Sequence, residues 1–214
     1  MKRFSLVTEA DARVLDEGST IVLERGGHVT PLAADTLRDR RVAVVREDGV
    51  DVDQDALRPA HPIRSVAIGN DHTGVPMKQH LVAILRSRGV QVLDKGTNAT
   101  QPVDYPDIAG AVAVDVAQKV VDAGIVIDGA GLGSTIAANK VAGVRAAMCT
   151  TPLLARYARE HNGANVLALG ASLVDADAAR AILETFLETP MTEARYIRRL
   201  QKVAALERRP PGAR

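Results

Sequence analysis

From Val66 onward the chain alternates short runs of β-branched and small apolar residues with longer amphipathic stretches. The runs are "SVAIGN", "VQVLD", "AGIVID", "VRAAMC" and "ANVLALG"; the stretches are "VPMKQHLVAILRSRG", "DIAGAVAVDVAQKV", "STIAANKVA", "PLLARYAREHN" and "DADAARAILETFL". Continuous apolar runs of strand length, separated by segments of helical period, predict an α/β fold. Its core is an open parallel sheet of about five strands with helices on both faces. A last helical segment, "MTEARYIRRLQKVAALERR", precedes "PPGAR", and residues 209–214 read as a disordered tail.

Residues 1–45 read as a small N-terminal α+β extension. It holds a helix "TEADARVL", a strand "STIVLE", a "GGHVTP" turn in which Thr30 caps and Pro31 opens a helix, and a strand "RVAVVR". The extension is expected to be too small for a core of its own. Residues 46–65, rich in acid and proline, read as a linker, and 66–208 as the main domain.

Composition narrows the class. Lys+Arg at 27 against Asp+Glu at 26 leaves a net charge of +1, so no basic face is offered to nucleic acid. Aromatic residues are only 2%, which leaves Val, Ala, Leu and Ile to build the core and few rings on which bases could stack. The lone Cys149 excludes an intrachain disulfide and fits a reducing compartment. With no apolar leader and no window of membrane-span length, the expectation is a cytoplasmic protein with no membrane partner.

In an open parallel sheet, ligands sit beyond the carboxyl ends of the strands. There the chain places "NDHTG" with Asp71 and His72, "KGTN" followed by "VDYPD", "DGAGLGS", and "CTTP"; the fifth helix ends in "REHNGAN" with His161 and Asn162. In "DGAGLGS", Gly129, Gly131 and Gly133 let amides turn toward a ligand, and Ser134 can cap the next helix, which makes an anion or oxyanion cradle. A dinucleotide site is disfavoured: the third glycine of the fingerprint is a serine, the loop follows the third strand, and no acid stands about 20 residues on. Asp128, at the mouth of this turn, has a plain reading as an acceptor for the turn amides. His161 has one as a favourable charge at a helix C-terminus before Gly163, Asp71 and His72 as a helix-start turn, and Arg195, Arg198 and Arg199 as a solvated face.

Taken in order, "DHTG", "GTN", "VDYPD", "GLGSTIAANKVAGVRAAMC", "AREHNGANVLALG" and the Arg-rich final helix resemble the ribose-5-phosphate isomerase B family, over about residues 65–207. The resemblance implies a Rossmann-like (flavodoxin-like) sheet and a metal-free aldose–ketose isomerase without a cofactor. It also implies a homodimer or homotetramer with active sites across the subunit interface. Family members carry a base at the cysteine position that opens the glycine turn, or a glutamate within it; those positions here hold Asp128 and Ser134. Asp128 is therefore the expected base, provided that burial among Val126, Ile127 and Leu132 raises its basicity. By the same resemblance His161 opens the sugar ring with Asn162 in support, and Asp71, Asp104, Tyr105, Gly129, Gly131, Gly133, Ser134 and Asn139 contact the substrate. His72, Arg195 and Arg199 hold the phosphate. Ala130, Ser172 and Tyr196 depart from the family pattern, at positions of a Thr or Ser, an Arg and a His, which leaves the turn amides and Thr135 to stabilise the enediolate.

Two alternatives stay open from sequence: a sugar-phosphate-binding or assembly subunit without turnover, and a nucleotide-dependent oxidoreductase. The extension faintly resembles leaders of bacterial microcompartment enzymes. That resemblance adds a shell or cargo contact as an expected partner, and the microcompartment interior as an expected location.

Overall fold

The computed structural model describes residues 2–46 and 57–207, so the tail and half of the linker expected from sequence lie outside the described residues. The chain divides into two compact units, residues 1–53 and 54–214.

The first unit runs β1 (Lys2–Val7), α1 (Glu9–Arg13), β2 (Thr20–Val29), α2 (Pro31–Asp39) and β3 (Ala43–Arg46), in a three-stranded sheet of order β1-β2-β3. Thr30 caps α2 by accepting from the Ala33 amide at 3.3 Å, with Pro31 as its first residue, as the sequence predicts. Three expectations are corrected here. Both strand pairings are parallel, so the unit is a βαβαβ element rather than α+β. The stretch "GGHV" lies inside β2, where the register against β1 slips between Phe4 and Leu6 and Gly26 adopts φ +77°; the glycines make a bulge, not a turn. Finally, the unit has a core: Val7, Ala12, Leu15, Ile21, Leu23, Ala33, Leu37 and Val42 are buried together. The strand β1, two of whose six residues are basic, was not legible because only Val7 is fully buried.

The second unit carries β4 (Ser65–Asn70), α3 (Val75–Ser87), β5 (Gln91–Asp94), α4 (Tyr105–Ala117), β6 (Ala123–Asp128), α5 (Leu132–Ala138), β7 (Ala146–Met148), α6 (Pro152–Asn162), β8 (Val166–Gly170), α7 (Ala176–Glu188) and α8 (Ala194–Glu207). Its sheet has five parallel strands in the order β5-β4-β6-β8-β7. The last two strands are exchanged relative to a flavodoxin order, which makes the short β7 an edge. Helices cover both faces, and the alternation of side chains sorts the two cores. Val66, Ile68, Ile125, Ile127, Leu167 and Leu169 pack with Leu81, Leu85, Ile182, Leu183 and Phe186 on one side. Ala67, Val126, Val166 and Ala168 pack with Ala109, Val112, Ala113 and Val116 on the other. Burial on both faces explains why these strands read as unbroken apolar runs.

Residues 57–64, expected to be linker, belong to this unit. Leu57 and Ile63 are buried, and two guanidinium groups hold the segment: Arg145 Nη2 donates to the Leu57 carbonyl at 3.0 Å and Arg159 Nη2 to the Ala60 carbonyl at 2.8 Å. Arg159 is wholly buried over the Phe186 ring, and burial together with the Arg145 charge pushes it down to about 10. No helix among the described residues is long and apolar enough to cross a membrane.

Because each unit has its own core, deletion of residues 1–53 is expected to leave the five-stranded unit folded. Its melting temperature should stay within a few degrees of the intact chain's main transition, as read by circular dichroism.

Candidate active site

The carboxyl edge of the sheet is where the chain reverses direction from β4 to β5 on one side and β6 on the other, so the loops after β4 and β6 face one crevice. Backbone bonds tie these loops together. The Asp71 amide donates to the Ile127 carbonyl at 3.0 Å, the Ala171 amide to the Asp128 carbonyl at 2.8 Å, and the Ser172 amide to the Gly129 carbonyl at 2.9 Å. Gly131, at φ +75°, caps α5; a Cβ there would lie 2.9 Å from the Leu169 carbonyl carbon and 3.0 Å from the Gly170 nitrogen. Only glycine supplies both that backbone and that approach.

Asp128 is buried at 5% exposure and its side chain organises the turn. Oδ1 accepts from the Ala130 amide at 2.9 Å and from the Gly131 amide; Oδ2 accepts from the Ser134 amide at 2.8 Å. The cap expected of Ser134 is thus reversed. Ser134 is the third residue of α5, buried, and its amide donates to Asp128, a carboxylate that serves the helix start from outside it. The plain reading of Asp128 as an acceptor for turn amides is therefore present in the structure, and one lone pair on Oδ2 has no amide assigned to it. Leu132, expected among the groups burying Asp128, is 58% exposed. Thr135 Oγ1 donates to the Gly131 carbonyl at 2.6 Å, inside the turn.

Around this turn stand several of the expected residues. Asp71 Oδ1 accepts from the Thr73 amide at 2.9 Å, from Thr73 Oγ1 at 2.5 Å and from the Gly74 amide at 3.3 Å, which fixes a short 3-10 turn over His72–Gly74. Thr73 in turn lies near Gly129. His72 is half-buried with Nδ1 shielded and without a protein partner. The Tyr105 ring covers Gly133 so closely that a Cβ there would come within 2.5 Å of it, while Asp104 is exposed at the start of α4. Asn139 is engaged elsewhere, pairing with both backbone groups of Ala146 at 2.8 and 2.9 Å and so extending the edge of β7.

His161, Asn162, Arg195 and Arg199 lie at the other edge of the sheet. Helix α6 runs back from the end of β7 to the start of β8, where Val166 pairs with Gly124, four residues before Asp128. That register alone separates the two edges by roughly 13 Å of strand. His161, in the last turn of α6 before Gly163 at φ +57°, stacks on Tyr157 at 4.7 Å and tilts against Tyr196 at 4.6 Å. Arg195 Nη2 donates to the Tyr196 hydroxyl at 2.9 Å, and both arginines are exposed. One chain therefore carries the carboxylate turn at one edge of its sheet and the imidazole and guanidinium groups at the other.

Sequence reasoning missed Lys78 and Asn70. Lys78 is 1% exposed, and its Nζ donates to Asp94 at 3.1 Å, to the Thr97 carbonyl at 3.0 Å and to Asn98 Oδ1 at 2.9 Å. Asn70 Nδ2 donates to the carbonyls of Thr97 and Asp71, joining the "KGTN" loop to the Asp71 turn. The signal was present: Lys78 shares the buried stripe of α3 with Leu81 and Leu85 at helical spacing. No group of three or more His, Cys, Asp or Glu suited to a metal ion occurs among the described residues.

The sequence model described as Ribose/Galactose Isomerase matches residues 66–203. The chain is 42% identical over 147 residues to the Escherichia coli protein named ribose-5-phosphate isomerase B, covering 69% of this chain and 99% of that one. Among solved structures, ribose-5-phosphate isomerase B of Clostridium thermocellum superposes with a TM-score of 0.66 at 45% identity, over 67% of this chain and 97% of that one. The type B enzyme of Trypanosoma brucei does so with the same TM-score at 42% identity, over 68% and 99%.

Two outcomes follow from this geometry. Gly131→Ala is expected to cost about 2 kcal/mol or more in denaturant melts, through the left-handed backbone and the Leu169–Gly170 contact. Cys149 is 1% exposed and burial pushes its thiol up to about 11. Ellman's reagent should therefore react at neutral pH only after unfolding. Because the unfolded thiol ionises first, stability should fall as pH rises from about 9 toward 11.

Proposed function

Since the chain belongs to the ribose/galactose isomerase family, we propose that it is an aldose–ketose isomerase of a phosphorylated four- to six-carbon sugar, working through an enediolate without a resident metal. The observation that carries this reading is the pair of half-sites: a carboxylate at a glycine turn on one edge of the sheet, and an imidazole beside two arginines on the other.

The reaction opens the sugar ring, moves a proton between neighbouring carbons and holds the negative enediolate oxygen meanwhile. In the proposal His161 donates to and accepts from the ring oxygens with Asn162 beside it, and Arg195 and Arg199 hold the phosphate as planar donors with His72. Asp128 takes the proton through the second lone pair of Oδ2. The other amide bonds keep its carboxylate from rotating, which suits a base that must meet carbon within a fraction of an ångström. The amides of Gly129, Leu132 and Gly133, which Asp128 does not use, face the enediolate oxygen with Thr135 behind them. Asp71, Asp104 and Tyr105 line the sugar side, and Ser134 and Asn139 set the turn and the β7 edge.

Because the half-sites lie at opposite edges, we propose that a second copy of the chain completes each site. Leu132 and Ile136 of α5, Leu153, Leu154 and Tyr157 of α6, and Leu173, all 44–63% exposed, are the apolar surface that such a copy would cover. The N-terminal unit carries its own core and no residue assigned to the reaction, and in this reading it serves assembly or encapsulation of a cytoplasmic enzyme.

The test is turnover on a panel of four-, five- and six-carbon sugar phosphates, with solvent deuterium followed into C2. The expected result is exchange and product with at least one sugar. Asp128→Asn should lower kcat by about 10²–10⁴-fold, and Asp128→Cys should keep measurable turnover with its acid limb moved up toward the thiol range, about 8.5. Tight binding without exchange on any sugar would indicate a binding subunit instead.

A further inference from the structure

Resting on the isomerase reading, we propose that Tyr196 is a positioning residue that presets Arg195 for the substrate phosphate and ties that clamp to His161. Tyr196 is 6% exposed, yet its hydroxyl is not spent on the core: it accepts from Nη2 of its exposed neighbour Arg195 at 2.9 Å. The guanidinium carbons of Arg195 and Arg199 stand 4.7 and 5.8 Å from the centre of the same ring, and His161 stands 4.6 Å from it at a tilt of 35°. One phenol ring therefore meets His161 and both arginines.

Packing alone does not require this side chain. Ile197 and Leu200, at 2% and 4% exposure, already seat α8, with Leu200 against Gly163 at the end of α6. A phenylalanine would fill the same space. What the hydroxyl adds, beyond the ring contact and a 3.8 Å approach to Glu193, is a directed hydrogen bond that restrains an arginine exposed at 65% of its side chain. A guanidinium held in its binding geometry loses less rotamer freedom when the phosphate arrives.

The test is a double-mutant cycle of Tyr196→Phe and Arg195→Ala in the full-length protein. It reads the Kd of inorganic phosphate by calorimetry, KM and kcat for the sugar phosphate turned over best, and the melting temperature. Tyr196→Phe keeps the ring, so kcat and melting temperature should stay within twofold and about 2 °C, while phosphate Kd and KM rise about three- to tenfold. In the Arg195→Ala background the same change should have no further effect on either. Wild-type phosphate affinity in Tyr196→Phe, or an equal effect with Arg195 absent, overturns the proposal. Should no sugar be turned over at all, the isomerase reading fails separately, and the phosphate Kd values still decide the role of Tyr196.

Discussion

A parallel sheet imposes a rule on chemistry: every helix that links two of its strands carries the chain from the edge where loops gather back to the opposite edge. Here that rule separates Asp128, at the end of β6, from His161, at the end of α6. No side chain is long enough to close the gap, since the strand register already sets roughly 13 Å between the two ends. The proposed reaction needs both groups on one sugar. The proposed sharing of a site between two copies would meet that need, and the exposed apolar residues of α5 and α6 are the surface proposed for it.

Within the carboxylate half-site, the economy of the turn is what matters. Asp128 satisfies three amides that the reversal from β6 into α5 would otherwise leave unpaired, and the Gly131 conformation brings the turn against the end of β8. The same contacts that stabilise the turn also fix the carboxylate. The base proposed at this position would serve both structure and proton transfer, with Oδ1 given to two turn amides and Oδ2 shared between the Ser134 amide and the proton.

The five-stranded unit was legible because its three central strands are buried on both faces and its helices are amphipathic, so the two periods stand apart along "SVAIGN", "AGIVID" and "ANVLALG". The N-terminal unit was less so. Its first strand is mostly exposed and its glycines sit in a bulge that imitates a turn, which hid both the third parallel strand and a core of eight residues. At the site, the family resemblance rather than residue types singled out Asp71, Asp128, His161 and the arginines as candidates, and their distribution over two edges of one chain depends on strand order. The hydrogen bonds of Asp128, the buried Lys78 and the Tyr196 hydroxyl depend on contacts between segments far apart in sequence or on rotamers, and only the helical spacing of Lys78 with Leu81 left a trace.

The shared site can be tested by mixing two inactive variants, Asp128→Asn and His161→Ala, after dissociation and reassembly. In a mixed pair one composite site carries both changes and the other carries neither. Random reassembly makes half of the pairs mixed, so turnover should return to about a quarter of the wild-type value. A mixture that stays as inactive as its two components would contradict a site built from two chains.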